Sequence, residues 1–275
     1  MRRPPERQLR NQLIEFGRRC YERRLLVGMD GNLSVRLTEE LILCTRTGCH
    51  KGMLTDDDLV LIDRRGNKVR GQGESTSETA MHLACYRERA DVEAVIHAHP
   101  PMCVAFSLAG VSMARCVLPE VVLTLGTIPT LTYETTGTSA LAERVAEAVR
   151  RFDAMVLDHH GAVCVGPSLL DAFCKLETME HVAHIMKAAR DLGGVRDLPP
   201  EESERLRRTG LLRYGGPPEA VAMVDQPGAD LPEVCRSCSG CGNPSAEGLV
   251  PEAGFTVARV THASPILARV DGSGR

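Results

Sequence analysis

Two histidines two residues apart, His97 and His99, close a short apolar run and are followed at once by Pro100 and Pro101. Ala94-Val95-Ile96 reads as a buried strand, and alternate side chains of a strand leave on one face, so the two imidazoles stand side by side. Proline cannot continue a central ladder, which puts the pair at the strand's rim. Paired imidazoles there suit a divalent transition metal; the competing reading is two hydrogen-bonded polar residues at a strand end. Further along, Asp158-His159-His160-Gly161 closes a second buried run, Ala154 to Leu157. A third histidine from here and a carboxylate at a helix start would complete a site of three nitrogens and one oxygen. Ser75-Thr76-Ser77 precedes an apolar helical run with Met81, Leu83, Ala84 and Tyr86, and sets Glu78 in the first helical turn. Alone, Glu78 also reads as a capping carboxylate. Thr76 and Ser77 at that helix N-terminus, and the turn Thr45-Arg46-Thr47-Gly48, suit an anion such as phosphate or form ordinary polar turns.

The elements that must position these residues follow from periodicity. Residues 5–27 read as an amphipathic helix, with Leu9, Leu13, Phe16, Cys20 and Leu25 near helical spacing and arginines between them. Residues 28–31 form a turn that contains Asp30; residues 32–37 then alternate apolar and polar as a strand. Further strands are expected at 41–44, 59–62, 121–125, 128–133, 154–157 and 162–165, and helices at 102–109, 138–151 and 168–192. On the last helix His181 and His184 lie one turn apart with no third ligand at hand, and they read as packing or surface residues.

Composition narrows the function classes. The 275 residues are 43% hydrophobic and carry a net charge of -3, so neither a nucleic acid nor a membrane is implied as partner. Residues 1–20 carry charges throughout and lack the apolar core of a signal peptide. The cysteines number 11, eight of them scattered singly through residues 20–174, which suits a reducing cytoplasm better than a disulfide framework. The 59 residues from Pro217 onward hold seven prolines and seven glycines, the composition of a flexible tail. Within it Cys235, Cys238 and Cys241 have the spacing of a zinc or iron–sulfur run without a fourth cysteine. Residues 255–260 and 266–270 could pair there as a small hairpin.

Taken together and in order, Gly31-Asn32-Leu33-Ser34-Val35-Arg36, Thr45-Arg46-Thr47-Gly48, Ser75-Thr76-Ser77-Glu78, His97-Ala98-His99, His159-His160-Gly161 and Arg213-Tyr214-Gly215 resemble the motifs of the class II aldolase/adducin family. The resemblance spans residues 5–216 and divides the chain into a catalytic domain, 1–216, and a tail, 217–275. It implies an α/β fold, a three-layer α/β/α sandwich around a mostly antiparallel sheet, assembled as a homotetramer with active sites between subunits. It implies Zn²⁺, with Mn²⁺ or Co²⁺ as alternatives, held by His97, His99 and His160. Glu78 would bind the resting metal and act as general base once substrate arrives; His159 would fix the loop rather than ligate. The phosphate of a small sugar phosphate would sit among Gly31, Asn32, Thr47, Gly48, Thr76 and Ser77. The activity implied is zinc-dependent aldol cleavage of a short phosphorylated ketose through a metal-stabilised enediolate.

Two departures from the family pattern bear on that activity. Arg46 stands where the aldolases carry proline, to aid an anion or to point to water. The aldolases' tyrosine acid is missing near Leu118-Pro119-Glu120, which leaves Glu120 or Tyr214 as the second acid/base. Related readings are a sugar-phosphate epimerase, a dehydratase, or a decarboxylase of a phosphorylated sugar acid; the epimerases tend to carry Asp at the position of Glu78. A reading of another class, the adducin-type binding module, lacks the metal ligands that this chain keeps.

Overall fold

The parity of the apolar residues along each strand sets the layers. A computed structural model describes residues 3–220. The cysteine run at 235–241, the hairpin expected at 255–270 and nearly all of the expected flexible tail lie outside the described residues. Among the described residues eight strands, β1 (Asn32–Arg36), β2 (Leu41–Thr45), β3 (Leu59–Asp63), β4 (Lys68–Arg70), β5 (Ala94–Ala98), β6 (Thr130–Leu131), β7 (Ala154–Leu157) and β8 (Gly161–Gly166), form one sheet in the order β4-β3-β2-β1-β5-β8-β7-β6. Every pairing is antiparallel except β6 with β7. Leu33, Leu43, Leu61, Ile96, Val156 and Cys164 face one core, and the alternate positions Ile42, Val60, Val95, Met155 and Val163 face the other. Both faces are therefore covered, and the sheet is the middle of an α/β/α sandwich.

On the first face lie α1 (Glu6–Glu22), α3 (Pro101–Leu108), α4 (Pro119–Thr124) and α6 (Leu169–Asp191); on the second lie α2 (Thr79–Glu88) and α5 (Ser139–Val149). Helix α6 starts where the Ser168 hydroxyl accepts from the Asp171 N–H at 3.1 Å, and it buries Leu169, Phe173, Leu176 and Met179 at three- and four-residue spacing. Each such side chain contributes about 1.5–3 kcal/mol through burial. Among the described residues no helix is long and apolar enough to cross a membrane.

Several sequence expectations are corrected. Residues 121–125 form helix α4 rather than a strand: Pro119 stands in its first turn, and Val121 and Val122 point into packing sites that override their β preference. The strand expected over 128–133 shrinks to β6 at 130–131. Strand β4 and helix α7 (Pro200–Tyr214) have no counterpart in the sequence reading. α7 is poor in apolar residues and is held by packing on α4, where a Cβ on Gly210 would lie 2.0 Å from the Leu123 carbonyl oxygen. Glu78 is the N-cap of α2, one position before its first turn, and its side chain makes no capping bond.

Candidate metal centre

Strand parity turns His97 away from the α1/α6 core, which takes Ile96 and Ala98, and toward the N-terminus of α2, where Glu78 stands. His97 is fully buried and its Nδ1 lies 3.0 Å from the Ala162 carbonyl on β8. A carbonyl only accepts, so Nδ1 carries the proton and the Nε2 edge faces inward. That Nε2 is 3.1 Å from His99 Nε2 and 3.1 Å from Glu78 Oε2. His99 follows the end of β5, with its N–H donated to the Leu25 carbonyl at 2.9 Å.

The third imidazole comes from the β7–β8 hairpin. His159 adopts a left-handed backbone (φ 56°), which leaves its ring exposed beside Asp158 at 2.9 Å and sets His160 inward, 3.4 Å from Glu78 Oε1. Gly161 makes the approach possible: a Cβ there would fall 2.7 Å from His99 and 2.5 Å from the Ala98 carbonyl. Ligand nitrogens of His97, His99 and His160 all lie within 4.8 Å of one another.

The cluster fits a divalent ion. Ligand atoms 2.0–2.1 Å from a shared tetrahedral centre stand about 3.3–3.4 Å apart, close to the separations of 3.1, 3.1 and 3.4 Å found here. Two buried polar atoms, Glu78 Oε1 and His160 Nδ1, have no hydrogen-bond partner among the described residues. Orphaned atoms of this kind cost free energy that ligation or a bound substrate would offset. Burial, reinforced by the neighbouring His97 imidazole, pushes His99 and His160 each down to about 4, so both are neutral donors at neutral pH. Burial would raise the Glu78 carboxyl, but the His97 imidazole, the Asn32 amide and the His160 imidazole beside it hold it well below the usual carboxylate range.

The anion-friendly segments converge beside the cluster. The Thr47 N–H donates to the Glu74 carbonyl at 2.9 Å and Arg46 bridges to Ser75, so the Thr47-Gly48 and Thr76-Ser77 loops run side by side. Thr47, Gly48 and Ser77 are exposed, whereas Thr76 is buried with its hydroxyl accepting from the Glu78 N–H at 3.3 Å. The buried Lys51 ammonium donates to the Met29 carbonyl at 2.6 Å and the Cys49 carbonyl at 2.8 Å, tying the Gly31 turn to the Gly48 turn. Gly31 has φ +66°, and a Cβ on it would meet Leu26 at 2.2 Å and the His97 carbonyl at 2.7 Å. Arg46 is paired with Asp58 at 2.7 Å rather than pointing to water.

The remaining sequence candidates border this cluster or stand away from it. Asn32 has both ends of its amide engaged, by Glu78 at 2.9 Å and His82 at 2.5 Å. Glu120 and Tyr214 are exposed, and neither shares a hydrogen bond or ion pair with the cluster among the described residues. His181 and His184 are exposed on α6, with His184 beside Glu180 at 3.2 Å. Sequence reasoning missed His82 and Ser34. The available signal was a four-residue repeat on α2, Glu78, His82 and Tyr86, set against the two-residue repeat Asn32 and Ser34 on β1.

Comparison with known proteins gives the same assignment of fold. The model of the Class II Aldolase and Adducin N-terminal domain matches residues 11–186, more than half of the chain. An L-fuculose phosphate aldolase of Methanococcus maripaludis is 35% identical over 174 residues, covering 63% of this chain and 93% of that protein. A 3-oxo-tetronate 4-phosphate decarboxylase of Haemophilus influenzae is 32% identical over 177 residues, covering 63% and 84%. Among solved structures, an L-fuculose 1-phosphate aldolase superposes with a TM-score of 0.68 at 30% identity, covering 73% of this chain and 94% of that one.

Proposed function

The chain belongs to the class II aldolase/adducin family, and from that premise we propose that it is a zinc-dependent lyase that cleaves a short phosphorylated ketose by a retro-aldol reaction. The observation that carries the reading is the inward cluster of His97, His99 and His160 with both Glu78 oxygens turned on it. His97, His99 and His160 would hold the metal, with Glu78 as a resting fourth ligand. A divalent metal there supplies Lewis-acid polarisation of the substrate's carbonyl and adjacent hydroxyl.

The rest of the chemistry belongs to the chain. Glu78 carries the proton at the carbon next to the carbonyl, returning it in cleavage and removing it in condensation. The loops of Gly31, Thr47, Gly48, Thr76 and Ser77 bind the phosphate and fix the reacting carbons against Glu78. With its amide engaged, Asn32 serves that cradle by holding Glu78. Cleavage also needs a base for the hydroxyl proton of the departing aldehyde, and Glu120 or Tyr214 takes that part. Glu120 lies on α4 and Tyr214 ends α7, and under this proposal they would reach the cluster from a neighbouring subunit of a homotetramer. The proposed catalytic unit is residues 1–216, and a chain truncated after Gly216 is expected to stay active.

A second reading, decarboxylation of a phosphorylated 3-oxo sugar acid, is favoured by the Haemophilus relative and by the absence of a tyrosine between Arg115 and Thr132. Both use the same metal and phosphate loops. A screen of the zinc-loaded protein for aldehyde release and for CO₂ release, on phosphorylated ketoses and sugar acids and their dephosphorylated forms, separates them. Aldehyde release confined to phosphorylated ketoses supports the first reading; CO₂ release replaces it with the second; equal rates without phosphate overturn both. Glu120→Gln and Tyr214→Phe, assayed on the best substrate, then identify the second acid/base by a fall in kcat.

A further inference from the structure

One face of β1 carries Asn32 and Ser34, polar and buried, and it is not solvent that covers them but α2, through Glu78, His82 and Tyr86. These five side chains form one unbranched chain. Glu78 Oε2 lies 2.9 Å from Asn32 Nδ2, and Asn32 Oδ1 lies 2.5 Å from His82 Nε2. His82 Nδ1 lies 2.6 Å from Ser34 Oγ, and that oxygen lies 2.8 Å from the Tyr86 hydroxyl.

The direction of every bond follows from one end. An ionised carboxylate can only accept, so the Asn32 nitrogen faces Glu78 and the amide oxygen faces His82. His82 must then carry its proton on Nε2, which leaves Nδ1 as an acceptor. Ser34 therefore donates to His82 and accepts from Tyr86. The polar atoms that form the chain are thus paired without conflict, which is the condition under which a buried network is rigid. Burial pushes His82 down to about 3, so one neutral tautomer persists across the physiological range.

We infer that His82 is a positioning residue for the reaction: held by Ser34 and Tyr86, it locks the Asn32 amide so that Glu78 is aimed at the histidine cluster. The inference rests on Glu78 being the proton carrier and resting ligand. Imidazoles and carboxylates that serve a metal are commonly oriented by such outer partners, whose loss costs about 10- to 100-fold in metal affinity or activity. What singles out His82 is its distance from the reacting atoms: it touches none of them, and it acts only through Asn32.

The test combines two readouts that need no substrate with one that does. Nitrogen-15 NMR of histidine-labelled, zinc-loaded protein is expected to show one buried ring, absent in His82→Leu, protonated at Nε2 and not at Nδ1 from pH 5 to 9. Chelator competition is expected to show about tenfold or more weaker zinc binding in His82→Leu. His82→Gln, whose side-chain amide can still donate to Asn32, is expected to recover most of that affinity. Ser34→Ala, which frees the tautomer while leaving the ring, is expected to fall between them. In turnover, His82→Leu is expected to lose at least tenfold in kcat with KM little changed. A His82 ring protonated at Nδ1, or a folded His82→Leu that binds zinc like the wild type, overturns the inference. If the substrate assignment is wrong, the wild type is inert in the assay while the NMR and zinc readouts still decide about His82.

Discussion

At the scale of single residues, the reading turns on Glu78. Its carboxylate accepts from Asn32 and faces His97 and His160 at 3.1 and 3.4 Å, so it is placed both to complete a metal's coordination and to move a proton. Glu78→Gln keeps the size and the capacity to hydrogen-bond but removes the base. Turnover is expected to fall by roughly 10²–10⁴-fold, while three histidines retain most of the metal; turnover at the wild-type rate would assign the proton transfer elsewhere. The histidine pair was legible in the sequence because strand parity is local: His97-Ala98-His99 needs only β5 and the residue that follows it to bring two rings together. The choice of His160 over His159 came from family resemblance, and its physical reason is the left-handed backbone at His159, which periodicity does not reveal. His82 escaped because a polar alternation such as Asn32-Leu33-Ser34-Val35 ordinarily means one wet face, whereas here α2 covers it.

At the scale of elements, the site depends on close approach between the turn at Gly31, the end of β5 and the start of β8. Gly31 serves a steric need first: its φ is +66°, and Leu26 and the His97 carbonyl occupy the place of a side chain. Gly31→Ala is expected to cost about 1–2 kcal/mol for the left-handed conformation and roughly 1–3 kcal/mol for overpacking, read by chemical denaturation, together with weaker metal binding. A loss below about 0.5 kcal/mol would show that the turn relaxes freely. Buried strands and long helices were readable because each carries its own period, as in α6 and β1. Helix α4 was misread because Val121-Val122 favours a strand locally and only its packing on α7 and the core decides otherwise. The polar α7 offers no apolar stripe wide enough to read; its partner α4 holds it.

At the scale of the whole molecule, burying three imidazoles that should be neutral makes stability depend on pH. His82 is pushed down to about 3 and His99 and His160 to about 4, all below the ordinary value of 6.5. The unfolded chain therefore binds more protons than the folded one between pH 4 and 6.5, and stability rises with pH across that window. The metal-free protein is expected to keep its full stability above pH 6.5 and to lose melting temperature steadily as pH falls toward 4; a flat profile would contradict the neutral cluster. Metal affinity is expected to fall over the same range, because protons compete for the ligands. The central claim, one metal held by nitrogen and oxygen ligands at His97, His99, His160 and Glu78, is tested most directly by X-ray absorption at the zinc edge, on full-length wild type and His97→Ala carrying measured amounts of zinc. The account predicts one zinc per chain with a nitrogen/oxygen shell at about 2.0–2.1 Å, lost in His97→Ala. A sulfur shell near 2.3 Å, with zinc content unchanged in His97→Ala, would place the metal on cysteines and contradict it.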